Sequence, residues 1–157
     1  MDNENRFYIA SSPYDWCTLQ EDKLWNSGSE SDPVKTEYDP CPVGWRVPTH
    51  AELSELRQNH SSWTSNGYWF SGANMYTEAS PKVFFPAAGE REGGYGGSAG
   101  EAMRRGRRGY YWSSRPSDVF AYYLCLDDSS IFTYDTYGRS NGYSVRCVQV
   151  TDEVAEL

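Results

Sequence analysis

Four cysteines, two histidines, a group of aspartates and a run of arginines carry the chemistry that this sequence could perform. Cys17, Cys41, Cys125 and Cys147 contain no CxxC pair, so a zinc site is disfavoured and one or two disulfides stay open. His50 and His60 belong to no Ser-His-Asp or HExxH arrangement of the kind a hydrolase or zinc protease needs. Both read as solvated side chains on or beside a helix. Asp127 and Asp128 could share acid–base work, yet adjacent carboxylates in a polar stretch read as a solvated turn. Asp118, Asp127, Asp128 and Asp135 could offer hard oxygen ligands, but their spacing fits no calcium loop. No metal and no cofactor is expected.

Arg104, Arg105, Arg107 and Arg108, beside Tyr110 and Tyr111, could hold phosphates and stack bases. The chain as a whole argues otherwise. It has 22 acidic against 14 basic residues, a net charge of −8 and a pI near 4.7, where a nucleic-acid protein needs a basic face. Arginines on a Gly-interrupted stretch read instead as partners of the chain's own carboxylates or of a neighbouring subunit.

The elements that position these residues fit in one globular domain of 157 residues. A mean hydropathy of −0.75 would suit disorder if aromatics were few, but 13 Tyr, 6 Trp and 6 Phe supply large buriable faces. No run approaches the roughly 20 apolar residues of a membrane span, and direct membrane insertion is not expected. The opening MDNENRFYIA lacks the charged-then-apolar order of a signal peptide, so the chain is expected to be soluble as given, as a domain cut from a longer secreted protein.

Strand and turn chemistry dominates. One helix start is clear: Thr49 can cap the backbone and Glu52, three residues on, can complete a capping box, with Leu53 and Leu56 sharing a face. Phe7–Ile9 reads as an opening strand, Val83–Ala87 as a buried strand bounded by Pro81 and Pro86. Tyr143–Val150 reads as a final strand with one buried face, preceded by an Asn141-Gly142 turn. Residues 89–109 are rich in Gly and Arg and read as a long loop.

Four motifs follow one another in order: DPCPVGWRVPT at residues 39–49, FFPAAG at 84–89, GYYWSS at 109–114 and NGYSVRCV at 141–148. Over residues 39–148 the chain thereby resembles the paralogous surface-protein domains of Bacteroidetes and Fibrobacter, which are similar to the formylglycine-generating-enzyme branch of the C-type lectin fold. The resemblance implies an α+β, C-type-lectin-like fold with short helices, small antiparallel sheets and much irregular loop. It also implies that the first and last elements are neighbours, bringing Cys41 to Cys147 for a disulfide. Cys17 is the competing partner among three connectivities, and Cys125 is expected to be free and accessible. The related oxidases use a closely spaced cysteine pair near the C-terminus, whereas Cys125 and Cys147 stand 22 residues apart; no enzyme is expected. Calcium lectins resemble one another in a Glu-Pro-Asn or Gln-Pro-Asp loop and a Trp-Asn-Asp strand, and neither triplet is present.

One window decides the reading. Residues 115–140 contain no Lys, Glu, Gln, Trp or Met, although those types fill 27 of the other 131 positions. A codon ending in C with its first two bases randomised encodes only the remaining residue types and never a stop. The window therefore resembles the variable region of a diversity-generating retroelement. Read that way, Pro116, Val119, Ala121, Tyr122, Leu124, Leu126, Ser129, Ile131, Thr133 and Gly138 are framework. Arg115, Ser117, Asp118, Phe120, Tyr123, Cys125, Asp127, Asp128, Ser130, Phe132, Tyr134, Asp135, Thr136 and Tyr137 are the varied, ligand-binding positions, expected to face outward from a strand whose framework residues face inward. Tyr, Asp and Ser are also the residues adaptable binding surfaces use; the bland alternative is that these tyrosines pack a leucine-poor core.

The sequence thus predicts a non-enzymatic receptor or adhesin-type module that binds a protein or glycan on a cell surface or phage particle. The rival reading is a structural domain of a bacterial surface or fimbrial lipoprotein, with an oxidase third.

Overall fold

The protein is represented by a computed structural model that describes residues 15–17, 19–59, 62–71, 82–94 and 100–150. The expected strand Phe7–Ile9 and His60 lie outside the described residues. The architecture is mostly β, with one short helix, several small antiparallel sheets and much irregular loop.

The helix starts where its cap requires. Thr49 is extended (φ −71°, ψ 165°), its hydroxyl accepts from the Glu52 N–H, and the Glu52 carboxylate accepts from the Thr49 N–H at 2.8 Å. That closes a capping box at the head of α1 (His50–Leu56). A 3-10 turn, Arg57–Asn59, follows. Leu53 is buried and Leu56 packs beside it against the core.

The two ends of the fold meet. β1 (Trp45–Arg46) pairs antiparallel with β10 (Val148–Gln149), and Cys41 and Cys147 form a disulfide with Cα atoms 5.9 Å apart. Asp39, its carboxylate buried, accepts from the N–H groups of Cys41 and Val47 and from Lys35 Nζ, all within 2.9 Å. The final strand is shorter than the sequence suggests. Val148–Gln149 is the regular part, whereas Ser144 is bonded to the backbone of Tyr110 and Trp112. Gly142 exchanges two hydrogen bonds with Arg91 rather than making the expected turn.

β2 (Gly67–Ser71) and β3 (Lys82–Pro86) form one antiparallel pair. The expected burial of this second strand holds for Phe85, whereas Val83 and Phe84 are half-covered, because a two-stranded sheet turns one face to the core. Gly67 must be glycine: at φ +151° an added Cβ would sit 2.2 Å from the Phe85 carbonyl oxygen. The described parts of residues 89–109 are more structured than a loop. β4 (Glu90–Arg91) pairs with β5 (Ala102–Met103), and Arg108 opens the next strand, β6 (Arg108–Ser117).

The central sheet is built on β6 (Arg108–Ser117) and β7 (Phe120–Asp127), paired antiparallel with a bulge between Trp112 and Pro116. The other edge of β7 is shared by two short strands, β8 (Ile131–Phe132) beside Cys125 and Leu126, and β9 (Thr136–Gly138) beside residues 120–122. Both faces of this sheet are buried. On one, Tyr111, Leu124 and Leu126 join Leu53, Tyr68, Phe70 and Phe85. On the other, Tyr110, Trp112, Tyr123 and Cys125 pack with Tyr143 and Phe132.

Candidate binding surface

The double burial of β7 corrects the expected division into framework-inward and varied-outward positions. Tyr123 and Cys125 alternate with Leu124 and Leu126 as expected, but they point into a second core instead of into solvent. Cys125 is free and fully buried, not accessible; loss of solvation pushes its thiol up to about 12. Tyr123 lies edge-on to Trp112 and Tyr143, which makes its ring structural.

Asp127 is also an architectural residue. Its Oδ1 accepts from the backbone N–H and hydroxyl of both Ser129 and Ser130 at 2.8–3.1 Å, building the β7–β8 turn. Burial alone would raise its carboxyl, but these four donors hold it below the usual carboxylate range. Arg108 adds an ion pair at 3.4 Å. Asp128 and Ser130 stay exposed at the turn.

Beyond that turn, the structure brings five of the expected positions together. Phe132, Tyr134, Asp135, Thr136 and Tyr137 follow one another along the edge of β7 away from β6. Tyr134 is 75% exposed, with its ring 5.3 Å from that of Phe132. Asp135 is exposed and caps the Thr136 N–H at 2.8 Å. Thr136 and Tyr137 are half-buried, and Tyr137 leans against Tyr143 at 6.5 Å.

The remaining positions cluster at the other end of the sheet. Arg115, Ser117, Asp118 and Phe120 surround the β6–β7 hairpin, where Asp118 holds a left-handed φ of +51°. Arg139 braces this turn: its side chain donates to the Asp118 and Phe120 carbonyls and pairs with Asp15 and Asp22.

His50 was missed as a positioned group. Its ring lies 4.5 Å from the Tyr122 ring, Nε2 is 2.7 Å from the Thr133 carbonyl, and Nδ1 is 3.3 Å from Arg115 Nη1. Since a carbonyl only accepts, Nε2 carries the proton and Nδ1 accepts from Arg115. Arg115 also stacks over Tyr122, 4.7 Å from the ring centre. The helix thereby props the loop before Tyr134 from below, helped by Ser54, whose hydroxyl is 3.0 Å from that of Thr133. No local sequence signal links His50 to Thr133, which is 83 residues away.

Of the arginine run, Arg104 pairs with the buried Glu90 and Arg108 with Asp127. Among the described residues, no group of three or more His, Cys, Asp or Glu side chains is placed to hold a metal. No helix among them is long and apolar enough to cross a membrane, and the disulfide suits an oxidising, extracytoplasmic compartment. No curated protein and no solved structure matches the chain. Residues 59–148 match the family model described as a domain of unknown function (DUF8237), and the chain belongs to that family.

Proposed function

We propose that the protein is a non-enzymatic ligand-binding module on a C-type-lectin-like scaffold, with a diversified recognition surface inside residues 115–140, displayed on a cell envelope or phage particle. The observation that carries this reading is that the compositionally restricted window supplies the exposed edge of the central sheet. Tyr134 and Asp135 stand exposed on the loop between β8 and β9, and Phe132, Thr136 and Tyr137 lie half-buried on those two strands, which are held to β7 by main-chain hydrogen bonds that do not depend on side-chain identity. Exposed aromatic rings give contact area at low entropy cost, and small polar neighbours adapt their hydrogen bonds. Arg115, Ser117, Asp118, Phe120, Asp128 and Ser130 extend the surface to both ends of the sheet. Tyr123, Cys125 and Asp127 belong to the scaffold.

The ligand is a protein or a glycan on an opposing surface. The test is a second copy of the gene: differences concentrated at C-ending codons for the exposed positions of 115–140, with an adenine-rich template beside a reverse-transcriptase gene, are the expected result. Differences spread evenly over the chain would leave a plain structural domain of a surface protein.

A further inference from the structure

Arg115 stands in the bulged part of β6, yet its side chain reaches the groups beneath the edge that carries Tyr134. Its guanidinium lies over the Tyr122 ring, 4.7 Å from the centre, and Nη1 donates to His50 Nδ1 at 3.3 Å. The same imidazole, through Nε2, holds the Thr133 carbonyl at 2.7 Å. One ring therefore separates the Arg115 cation from the residue before Tyr134. Arg115 and Tyr134 are both exposed and border one stretch of surface.

The contacts that hold this guanidinium leave its charge unanswered. A ring face and an imidazole lone pair orient it without neutralising it. Arg46, Arg104, Arg108 and Arg139 each meet a carboxylate, whereas among the described residues none lies within ion-pair distance of Arg115. The acids around it have other partners. Glu30 accepts from the Ala51 N–H, and Asp135 from the Tyr123 phenol and the Thr136 N–H. In the cleft that Arg115 also borders, Asp15 and Asp22 pair with Arg139, and Glu21 accepts from the Lys23 N–H.

Resting on the reading of this edge as a recognition surface, we propose that Arg115 and Tyr134 form one subsite for an acidic segment of a protein ligand. Arg115 takes the carboxylate of an acidic side chain, and the Tyr134 ring packs on the adjoining residue. A guanidinium presents paired N–H groups in a plane, which match the two oxygens of a carboxylate. Holding that plane in advance against Tyr122 and His50 lowers the ordering cost of binding. A phosphate dianion calls for more positive charge than one guanidinium offers on a chain of net charge −8. Phe132, 5.3 Å from Tyr134, makes the neighbouring contact apolar, which suits a hydrophobic side chain beside the acid better than the hydroxylated ring of a uronate. Arg115 is one of the expected varied positions, whereas His50 and Tyr122 are not, so the acidic preference belongs to this copy and the platform beneath it is constant.

The blocked dipeptide N-acetyl-Phe-Glu-amide, titrated into the ¹⁵N-labelled full chain and followed at the Arg115 Nε–H and the Tyr134 and Thr136 amide signals, tests the subsite. N-acetyl-Phe-Gln-amide is the neutral comparator, and glucuronate and inorganic phosphate are the other anions. The expected result is a saturable shift with a Kd on the order of 10 mM, about tenfold tighter than for the neutral peptide. Arg115→Gln should erase that preference without lowering Tm. Tyr134→Ser should weaken both peptides by a common factor of about ten, because it removes the ring and not the charge. Absence of a saturable shift, equal affinity for the two peptides, an unchanged preference in Arg115→Gln, parent-like binding in Tyr134→Ser, or tighter binding of glucuronate or phosphate than of the acidic peptide would overturn the proposal. None of these outcomes bears on where copies of the gene differ, so the subsite and the diversified surface fail separately.

Discussion

The phenol of Tyr123, seated in the second core, donates to the Asp135 carboxylate at 3.1 Å. A buried strand residue thus anchors the loop that carries the most exposed aromatic of the window. Burial first, and then the Asp135 charge, push this phenol well above the ordinary tyrosine range, so it remains a donor. Tyr123→Phe keeps the ring packing and removes the tether, at an expected cost of about 1 kcal/mol. Amide exchange at Tyr134 and Thr136 should quicken while that at Leu124 does not; unchanged protection at all three would show that the tether is idle.

Stability and recognition should separate along the edge. Tyr134→Ser is expected to move stability by no more than about 0.5 kcal/mol but to weaken ligand binding by about 2 kcal/mol. Trp112, stacked 4.3 Å from Tyr143 and bonded to the Asn141 carbonyl at 3.2 Å, should cost about 3–5 kcal/mol as Trp112→Ala. Denaturant melts of the two variants decide the matter. If the tyrosine variant unfolds as readily as the tryptophan variant, the edge is core and displays nothing.

Alkali should unfold the protein through its buried phenols. Burial raises Tyr111, Tyr123 and Tyr143 above the ordinary value and pushes the Cys125 thiol up to about 12. An unfolded phenol ionises near pH 10, so this contribution is complete below that pH and is lost as pH rises toward the folded values. Tyrosinate absorbance and loss of near-ultraviolet dichroism should rise together; full phenol ionisation in a still-folded protein would contradict the burial.

Acid acts on different groups with the opposite sign. Burial alone would raise the Glu52 carboxyl, but Arg46, at 2.6 and 2.7 Å, and the Thr49 N–H hold it below the usual range. Its contribution is present above the unfolded value near 4.3 and is lost as pH falls through the lower folded value. A Glu52→Gln protein should melt lower at neutral pH and show a flatter acid limb in a series of thermal melts. An acid limb as steep as the parent's would shift the blame to another carboxylate.

Thiol chemistry should distinguish three environments. Native alkylation should reach the half-exposed Cys17, reach Cys125 only on unfolding, and spare Cys41 and Cys147 unless reductant is present. Cys147→Ser opens a closure spanning 106 residues, and a loop of that size corresponds to roughly 4–5 kcal/mol in the chain-entropy account. Peptide mapping and denaturant melts read both effects.

Local chemistry made the helix legible, because Thr49 and Glu52 carry the capping signal within four residues. The faces of β7 were not legible. In Tyr122-Tyr123-Leu124-Cys125-Leu126 both alternating sets are apolar, so period-two reading cannot say which face meets solvent, and here neither does. The edge at 131–138 shows its exposed Tyr134 and Asp135 in place, yet its support by His50 depends on a contact across the chain.

The Cys41–Cys147 bond also determines how the molecule would bear load. Tension applied between the chain before Cys41 and the chain after Cys147 would run through one covalent link, leaving the enclosed residues slack. The segment 15–40 lies outside that link and is held by noncovalent contacts, including Arg139 with Asp15 and Asp22. A pull on that segment would therefore part Asp15 and Asp22 from Arg139 first, while the two cores and the edge bearing Tyr134 stayed folded.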